Sequence, residues 1–264
     1  MLSREFYTAV SGCCEVGDHR SVNQDNILIL QKTFIHSAFE RSTAGLFLVA
    51  DGCGGLTHGE KVSGMIAEKF QRFWEMEMEP LLFPQRQIRR RIPAAVLNWL
   101  EQINGEAYNF GQEMKESVGS TLALLLTVNH DYFLFNVGDS RVYLKRRGLL
   151  RQLSEDQTQV ADMLRNHEIT PEEAEDYPGR NVLTMCVGFF EQMHVFCAQG
   201  KLYRGDVFLL CSDGLYNHLP EGEDLSRLIP DRISPDSAKQ LRNRIEPGMA
   251  KDNVSVILAE LCAR

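Results

Sequence analysis

Leu46-Phe47-Leu48-Val49-Ala50-Asp51-Gly52-Cys53-Gly54-Gly55 is the stretch that decides the fold of this chain. Its first five residues are apolar or small, which predicts a buried strand, and Asp51 follows at the end of that strand. A strand holds such a carboxylate rigidly, and the glycines after it let the backbone turn sharply and expose carbonyl oxygens. Hard cations such as Mg²⁺ and Mn²⁺ take oxygen ligands of this kind. A single acid before a glycine turn is also common at strand ends, so the motif needs support from elsewhere in the chain.

The same pattern occurs at three other places in the sequence. Asp213 ends the apolar run 207–212, and Asp252 and Asp25 each stand just before a strand-like run. Four carboxylates at the ends of four strands can converge at one end of a sheet. Converging acids repel one another, so they require cations between them. Two divalent ions would satisfy four acids.

Composition excludes several classes of protein. The 264 residues suit one large domain or two small ones, and 44% hydrophobic residues are enough to build a core. A net charge of −8 argues against a nucleic-acid-binding protein. The basic run 86–91 is interpreted as one solvated helix face.

The cysteines and the N-terminus predict a cytoplasmic location. The seven cysteines form no CxxC pair, and their odd number fits a reducing compartment. Residues 1–10 lack the charged and apolar regions of a signal peptide, and no apolar run approaches the ~18 residues of a membrane span. We therefore expect a soluble cytoplasmic protein that binds neither membrane nor nucleic acid.

Hydrophobic periodicity gives the order of the elements. Helical spacing occurs in segments 60–78 and about 86–115, where Pro93 marks the start of the second helix or a kink in it. Shorter helices are expected within 157–166, from Thr170, and within 221–229 and 234–245. Strands are predicted at 5–16, 26–31, 45–50, 120–129, 132–137, 140–146, 194–199, 206–212 and 253–260. Two clusters of strands interrupted by paired helices indicate one α/β domain with mostly antiparallel sheets.

Six short motifs occur in order between residue 20 and residue 255. They are Arg20-x-x-Asn23-Gln24-Asp25, Val49-Ala50-Asp51-Gly52-x-Gly54-Gly55, Gly119-Ser120-Thr121, Asn136-Val137-Gly138-Asp139-Ser140-Arg141, Leu210-Cys211-Ser212-Asp213-Gly214-Leu215 and Asp252-Asn253-Val254-Ser255. Each motif alone is weakly specific. The ordered set resembles the PPM family, the metal-dependent Ser/Thr protein phosphatases of the protein phosphatase 2C type, in its bacterial form.

The resemblance implies an α+β fold, a four-layer αββα sandwich of two antiparallel sheets flanked by helix pairs. Residues 1–264 would form a single phosphatase domain, with a flap at about 154–190 beside the active site. The polar composition of 154–180 agrees with this, because a long polar segment inside a compact domain is usually functional or mobile. The resemblance also implies a site for two Mn²⁺ or Mg²⁺ ions at one end of the sandwich.

The matched motifs imply a set of metal ligands. Asp51 would bridge both ions, and the carbonyl of Gly52 would bind one of them. Asp213 and Asp252 would bind the other ion. Asp25 would act through ordered waters.

Other matched residues would act on the substrate or support the ligands. Arg20 would clamp the substrate phosphate, because its guanidinium presents a planar fork of donors to phosphate oxygens. Gln24 and Asn253, which adjoin two of the acids in sequence, would support the metal ligands from behind.

The chain departs from the family pattern at Cys53. Animal members carry a histidine there, regarded as a general acid, and bacterial members often carry a methionine. Protonation of the leaving group would then fall to metal-activated water, to His58 or to His19.

A third metal ion in bacterial members uses an acid shortly before the Gly-Ser-Thr motif. The candidates here are Glu113 and Glu116, and we expect Glu116, sharing Asp213 with the second ion. Asp139 is interpreted as a structural acid of a hairpin turn, either paired with Arg141 or capping a backbone group.

The predicted function is hydrolysis of phosphoserine and phosphothreonine in proteins by a metal-activated water. The enzyme would oppose a bacterial Ser/Thr kinase and work as a monomer. One alternative is a phosphatase of an anti-sigma antagonist, although such enzymes usually carry sensory domains. The other is a non-catalytic module that binds phosphoproteins, which the complete set of acids argues against.

Overall fold

Strand β3 (Arg41–Cys53) contains the run 46–50 and lies inside one of two sheets. The structure is a computed structural model that describes residues 6–37, 40–53, 58–83, 87–220 and 222–263. The glycines Gly54 and Gly55 of the predicted turn lie outside the described residues, as does Arg86 of the basic run.

Every strand pairing in the two sheets is antiparallel. The first sheet contains, in spatial order, β2 (Asp25–Ile35), β3, β5 (Leu122–Val128), β6 (Asp131–Val137) and β9 (Phe196–Lys201), and the short β4 (Gly119–Ser120) pairs with the end of β3. The second sheet contains β1 (Phe6–Glu15), β11 (Val254–Ala263), β10 (Val207–Cys211), β7 (Arg141–Arg146) and β8 (Leu149–Gln152).

The helices cover the outer faces of the sheets or lie in the connections between strands. In chain order they are α1 (Gly59–Met76), α2 (Met78–Leu82), α3 (Ile88–Met114), α4 (Gln159–Arg165), α5 (Pro171–Glu175), α6 (Asp213–Tyr216), α7 (Leu225–Leu228) and α8 (Ser237–Arg242). None of the helices in the described ranges is long and apolar enough to cross a bilayer.

The continuous apolar run in β3 is explained by burial on both faces of its sheet. Leu46 and Leu48 pack into a core with α1 and α3, whereas Phe47 and Val49 pack into the core between the two sheets. Side chains alternate along a strand, so a strand covered on both faces reads as apolar at every position. Each of these side chains is fully buried, and burial of one such side chain stabilises a fold by about 1.5–3 kcal/mol.

A third core completes the layered arrangement. Leu209 and Leu258 of the second sheet pack with Ile229 and with Leu241 of α8. The order of layers is therefore helices, sheet, sheet, helices, and the predicted αββα sandwich of two antiparallel sheets is confirmed.

Local departures from the predicted elements have local causes. Helix α3 begins at Ile88 and continues through Pro93, so this proline does not mark its start. Strand β8 was not predicted, because the two-residue turn before it consists of Arg147 and Gly148, both with positive φ. The first position of such a turn is usually asparagine, aspartate or glycine. With arginine there, the sequence does not predict the turn.

Candidate active site

Four acids from both sheets lie at one end of the sandwich. Asp25 is the first residue of β2 and is paired directly with Asp51 near the end of β3. Asp213 follows β10, and Asp252 precedes the neighbouring β11, so antiparallel pairing brings these two acids to the same edge. The acids that the sequence places at strand ends therefore lie together as a cluster in the structure.

The cluster borders a cavity of about 190 Å³. It is lined by Arg20, Gln24, Asp51, Gly52, Cys53, Thr121, Asp139, Asn181, Leu183, Asp213 and Asp252. Asp25 lies behind this wall, where it is buried and its Oδ2 accepts a hydrogen bond of 2.9 Å from Ser212 Oγ. Arg20 is the only positively charged residue among these lining residues.

Burial and mutual repulsion disfavour the charged form of the acids. Burial, followed by the charges of Asp25 and Asp213, raises the pKa of Asp51 well above its ordinary value. Burial raises the pKa of Asp25 to about 6, against hydrogen bonds from serine hydroxyls that lower it. Burial and then the charge of Asp252 raise the pKa of Asp213. Positive charge placed among these groups would relieve the repulsion.

The carboxylate oxygens at the cavity are suitable ligands for hard divalent cations, although they do not form a preorganised metal site. No group of three or more His, Cys, Asp or Glu side chains in the described ranges forms a complete metal site. Both oxygens of Asp252 are engaged, Oδ2 by Arg20 at 2.8 Å and Oδ1 by the backbone N–H of Asn253 at 2.8 Å. The buried Oδ1 of Asp25 has no hydrogen-bond partner. The carboxylate ligands and this unpaired oxygen argue for cation binding. The hydrogen bond between Arg20 and Asp252 would break when Asp252 binds a cation.

Arg20 stands at the mouth of the cavity. Its side chain is 51% exposed, and its guanidinium reaches no acid other than Asp252 by a hydrogen bond among those described. The remaining N–H groups of the fork can donate to phosphate oxygens.

Asn253 fixes the loop that carries Arg20. Its Oδ1 accepts from the backbone N–H of Gln24 at 2.8 Å, and its Nδ2 donates to the carbonyls of Val16 and Val22 at 2.8 and 3.1 Å. The carbonyl of Gln24 in turn accepts from the N–H of Gly52 at 3.2 Å. These contacts fix Gln24 at the cavity wall and leave Asn253 outside the lining of the cavity.

Gly52 has no space for a side chain. A Cβ there would lie 2.5 Å from the backbone carbon of Gly59 and 2.8 Å from the carbonyl oxygen of Gln24. The start of α1 and the Arg20 loop therefore pack directly against this glycine, which lines the cavity.

Asp139 belongs to the site, which the sequence interpretation missed. It lines the cavity, is 6% exposed, and burial followed by the charge of Asp213 raises its pKa to about 7. It does not pair with Arg141, because that guanidinium binds the carboxylate of Asp156 at 2.6 Å. The signal was present: strand β6 ends at Val137 and is followed by Gly138 and Asp139, the same strand-end pattern as the other acids.

Glu116 is not among the residues that line the cavity. Its carboxylate lies 3.3 Å from Nδ1 of His58, and this pair is partly exposed. His19 lies 3.0 Å from the carbonyl oxygen of Gly248. Neither histidine lines the cavity, and Glu113 is exposed.

The predicted flap region returns over the site. Asn181 and Leu183 line the cavity, and Leu183 forms a bridge with Thr158 at the start of the region. The side-chain oxygen of Gln157 accepts from the N–H of Gly138 at 2.8 Å, which ties the base of this region to the turn of Asp139. Helix α5 starts after Thr170 as expected, and Thr170 forms a capping box with Glu173.

A model described as Protein phosphatase 2C matches residues 19–247. The chain belongs to the protein phosphatase 2C family. Serine/threonine phosphatase stp of Listeria innocua is 30% identical over 217 residues, which cover 81% of this chain and 84% of the relative.

Solved structures of the same family share the fold. PppA, a key regulatory component of T6SS in Pseudomonas aeruginosa, aligns with a TM-score of 0.77 and 30% identity, covering 97% of this chain and 100% of that one. The catalytic domain of serine threonine protein phosphatase PstP, in complex with 2 manganese ions, aligns with a TM-score of 0.76 and 25% identity, covering 98% and 100%.

Membership of the protein phosphatase 2C family confirms the resemblance drawn from the six motifs. The family is one of enzymes, so a non-catalytic phosphoprotein-binding module is not favoured. The individual roles assigned to Arg20, Asp25, Asp51, Gly52, Asp213 and Asp252 stay predictions.

Proposed function

We propose that this chain is a metal-dependent Ser/Thr protein phosphatase that hydrolyses phosphoserine and phosphothreonine in proteins. The observation that carries the proposal is the convergence of Asp51, Asp213 and Asp252 on one cavity beside Arg20. Acids alone would repel an anionic phosphate ester. A combination of acids and one arginine suits a site that first binds divalent cations and then a phosphate group.

Two ions of Mn²⁺ or Mg²⁺ would be held by the acids of the two sheets. Asp51 and the carbonyl of Gly52 would serve the ion nearer β3, and Asp213 and Asp252 the ion nearer the second sheet, with Asp51 shared. Bound ions of this kind supply a nucleophilic water and neutralise the charge of the phosphoryl group. Asp25, buried behind Asp51, would accept hydrogen bonds from water that completes the coordination.

Arg20 would orient the substrate. Its guanidinium would donate to two phosphate oxygens and leave the ester oxygen free, which fixes the phosphorus for in-line attack. The hydrogen bond to Asp252 shows that the side chain already reaches into the site. A seryl or threonyl leaving group would then point away from Arg20 into solvent, where the rest of the protein substrate has room.

Asp139 is the residue we propose for a third ion, in place of Glu116. It is buried at the cavity wall and its carboxylate is electrostatically coupled to Asp213, the acid that a third ion would share. Glu116 is engaged with His58 outside the lining of the cavity.

We infer that the substrates are proteins phosphorylated by a Ser/Thr kinase, which the phosphatase opposes in the cytoplasm as a monomer. The Listeria innocua relative supports the kinase link, because its name is that of a serine/threonine phosphatase. The anti-sigma antagonist alternative has no feature of the described structure in its favour.

The test is hydrolysis of a phosphothreonine peptide with Mn²⁺, with Mg²⁺ and with EDTA. Asp213→Asn should abolish metal-dependent turnover. Asp236→Asn is the control and should not, because Asp236 is an exposed residue just before α8. Turnover that survives EDTA or Asp213→Asn would overturn the proposal. Tight peptide binding without turnover in the wild type would revive the binding-module alternative.

A further inference from the structure

Two cysteines meet beside the metal cluster. Sγ of Cys53 lies 2.7 Å from Sγ of Cys186, and neither is in a disulfide. A disulfide bond has a length of about 2.05 Å, so the two sulfurs need only a small approach to bond. The residues are 133 positions apart, which makes the contact a product of the fold and not of local sequence.

The two residues belong to different parts of the site. Cys53 ends β3, two residues after Asp51, and its Sγ lies 3.4 Å from the carbonyl oxygen of Asp51. Cys186 lies near the C-terminal end of the flap region, next to Val187, which pairs with Ser120. The contact therefore connects the strand of the central acid with the base of the flap.

The two thiols differ in access. Cys53 lines the cavity and is partly exposed, so a small oxidant can reach it by the route that a phosphate would take. Cys186 is fully buried, with its sulfur in contact with that of Cys53. This is the arrangement of an attacking and a resolving cysteine.

We propose that Cys53 and Cys186 form a redox modification site, in which a hydroperoxide converts the two thiols into a disulfide that stops catalysis. The inhibitory part rests on the proposed phosphatase function. The formation of the bond does not.

The chemistry balances with hydrogen peroxide as the oxidant. Sγ of Cys53 attacks one peroxide oxygen, the O–O bond breaks, and one water leaves as Cys53 becomes a sulfenic acid. Sγ of Cys186 then attacks Sγ of Cys53, the S–S bond forms, the S–O bond breaks, and a second water leaves. Two thiols lose two electrons and two protons, and the peroxide is reduced to two waters.

The bond would act on the acids through Ser120. This residue lies between the two cysteine-bearing segments, opposite Gly52 on one side and Val187 on the other. Its Oγ donates to the carbonyl of Asp51 at 2.9 Å. Drawing Cys53 and Cys186 together would therefore shift the end of β3 and restrict movement of the flap. Turnover should fall at least about tenfold, because a misplacement of up to about 1 Å in an active site has an effect of this size.

The bond is tested by peptide mapping in a Cys197→Ser background. Trypsin places Cys53 in peptide 42–61 and both Cys186 and Cys197 in peptide 181–201, so the substitution leaves one cysteine in each peptide. After exposure to hydrogen peroxide and blocking of free thiols, we expect the two peptides to be joined, and dithiothreitol to separate them. Because Cys53 is only partly exposed, the exposure to peroxide should last tens of minutes.

Activity and a second variant complete the experiment. Peroxide should stop turnover in the Cys197→Ser protein, and dithiothreitol should restore it. Cys186→Ala in the same background should keep the basal activity and form no linked peptides. After the same exposure its Cys53 should carry sulfenic or sulfinic acid, which the mass of peptide 42–61 reports.

Two results would overturn the proposal. One is that both peptides remain unlinked after peroxide treatment of the folded protein. The other is that peroxide links the peptides but leaves turnover of the Cys197→Ser protein unchanged. If the chain shows no phosphatase activity at all, the peptide map still decides whether the disulfide forms, so failure of the proposed function is distinguished from failure of this inference.

Discussion

At the scale of single residues, Arg20 connects the metal cluster with the substrate. Its guanidinium is the only cation among the residues that line the cavity in the described chain, and it binds the carboxylate of Asp252 at 2.8 Å. Because the Arg20 side chain is 51% exposed, this ion pair contributes little to the stability of the protein. Its contribution should therefore appear in substrate binding and in competition with cations.

Arg20→Ala should reduce kcat/KM for a phosphothreonine peptide about 10- to 100-fold, the effect of losing charged hydrogen bonds to phosphate. The melting temperature should hardly change. The Mn²⁺ concentration needed for half-maximal activity should fall, because Asp252 is released. Arg20→Lys should recover only part of the loss, since lysine lacks the planar fork. Unchanged kinetics in Arg20→Ala would remove this arginine from the mechanism.

Asp139 and Glu116 offer a matched comparison of two acids. Asp139→Asn should lower Mn²⁺-dependent turnover at least about tenfold, as expected when a group in direct contact with catalytic charge is neutralised. Glu116→Gln should stay within about twofold of wild type, because Glu116 pairs with His58 away from the lining of the cavity. Steady-state rates across a manganese titration distinguish the two. The reverse ranking would restore Glu116 as the ligand.

At the scale of elements, strand ends explain how much of the site can be read from sequence. The apolar run 46–50 predicts β3, and the acids after or before such runs lie together because antiparallel partners share an edge. Asp139 follows the same rule, yet Gly138-Asp139 also has the composition of an ordinary turn. Glu116 was assigned by its distance in sequence from Gly119, which does not specify where its side chain points.

Contacts between distant segments are beyond such rules. The position of Asn253 in its motif does not reveal that its amide binds the loop 16–24, and the Cys53–Cys186 contact has no local signal. Both depend on how the two sheets stack and on the path of the flap region. Short elements such as β8 and α2 are missed because a few residues carry too little periodicity.

Asn253→Ala should loosen the loop that presents Arg20. Asn253 is buried and makes three hydrogen bonds to backbone groups of that loop, so its loss should cost about 2–3 kcal/mol and lower the melting temperature by about 5–10 °C. Thermal unfolding with the exposed Asn243→Ala as a control measures the effect. A shift no larger than that of the control would contradict the role of Asn253 as the anchor of this loop.

At the scale of the whole molecule, the fold maintains a charge cluster at the expense of stability. Four strand ends hold Asp25, Asp51, Asp213 and Asp252 together in a protein that already carries a net charge of −8. Like charges near one another destabilise the folded state unless cations are present. Stability should therefore depend on both pH and divalent metal.

Asp25→Asn should stabilise the metal-free protein at pH 8 and have little effect near pH 4. The pKa of Asp25 is about 6 in the folded protein, above the unfolded value of about 3.9, so the folded state holds the extra proton between these values. The contribution of this group to stability is therefore greatest below pH 4 and falls as the pH rises to 6, by roughly 2–3 kcal/mol. Thermal melts in EDTA measure it, with the exposed Asp176→Asn as the control. An equal effect at both pH values would contradict the burial argument.

The measurement that tests the central claim most directly is a manganese titration in which bound ions and turnover are followed in the same samples. We expect two tightly bound Mn²⁺ per chain and turnover of a phosphothreonine peptide that rises in step with their binding. Asp213→Asn should bind at least one ion fewer and should not turn over the peptide. A folded protein that hydrolyses the peptide without bound metal, or an Asp213→Asn variant that binds and turns over as the wild type does, would contradict it.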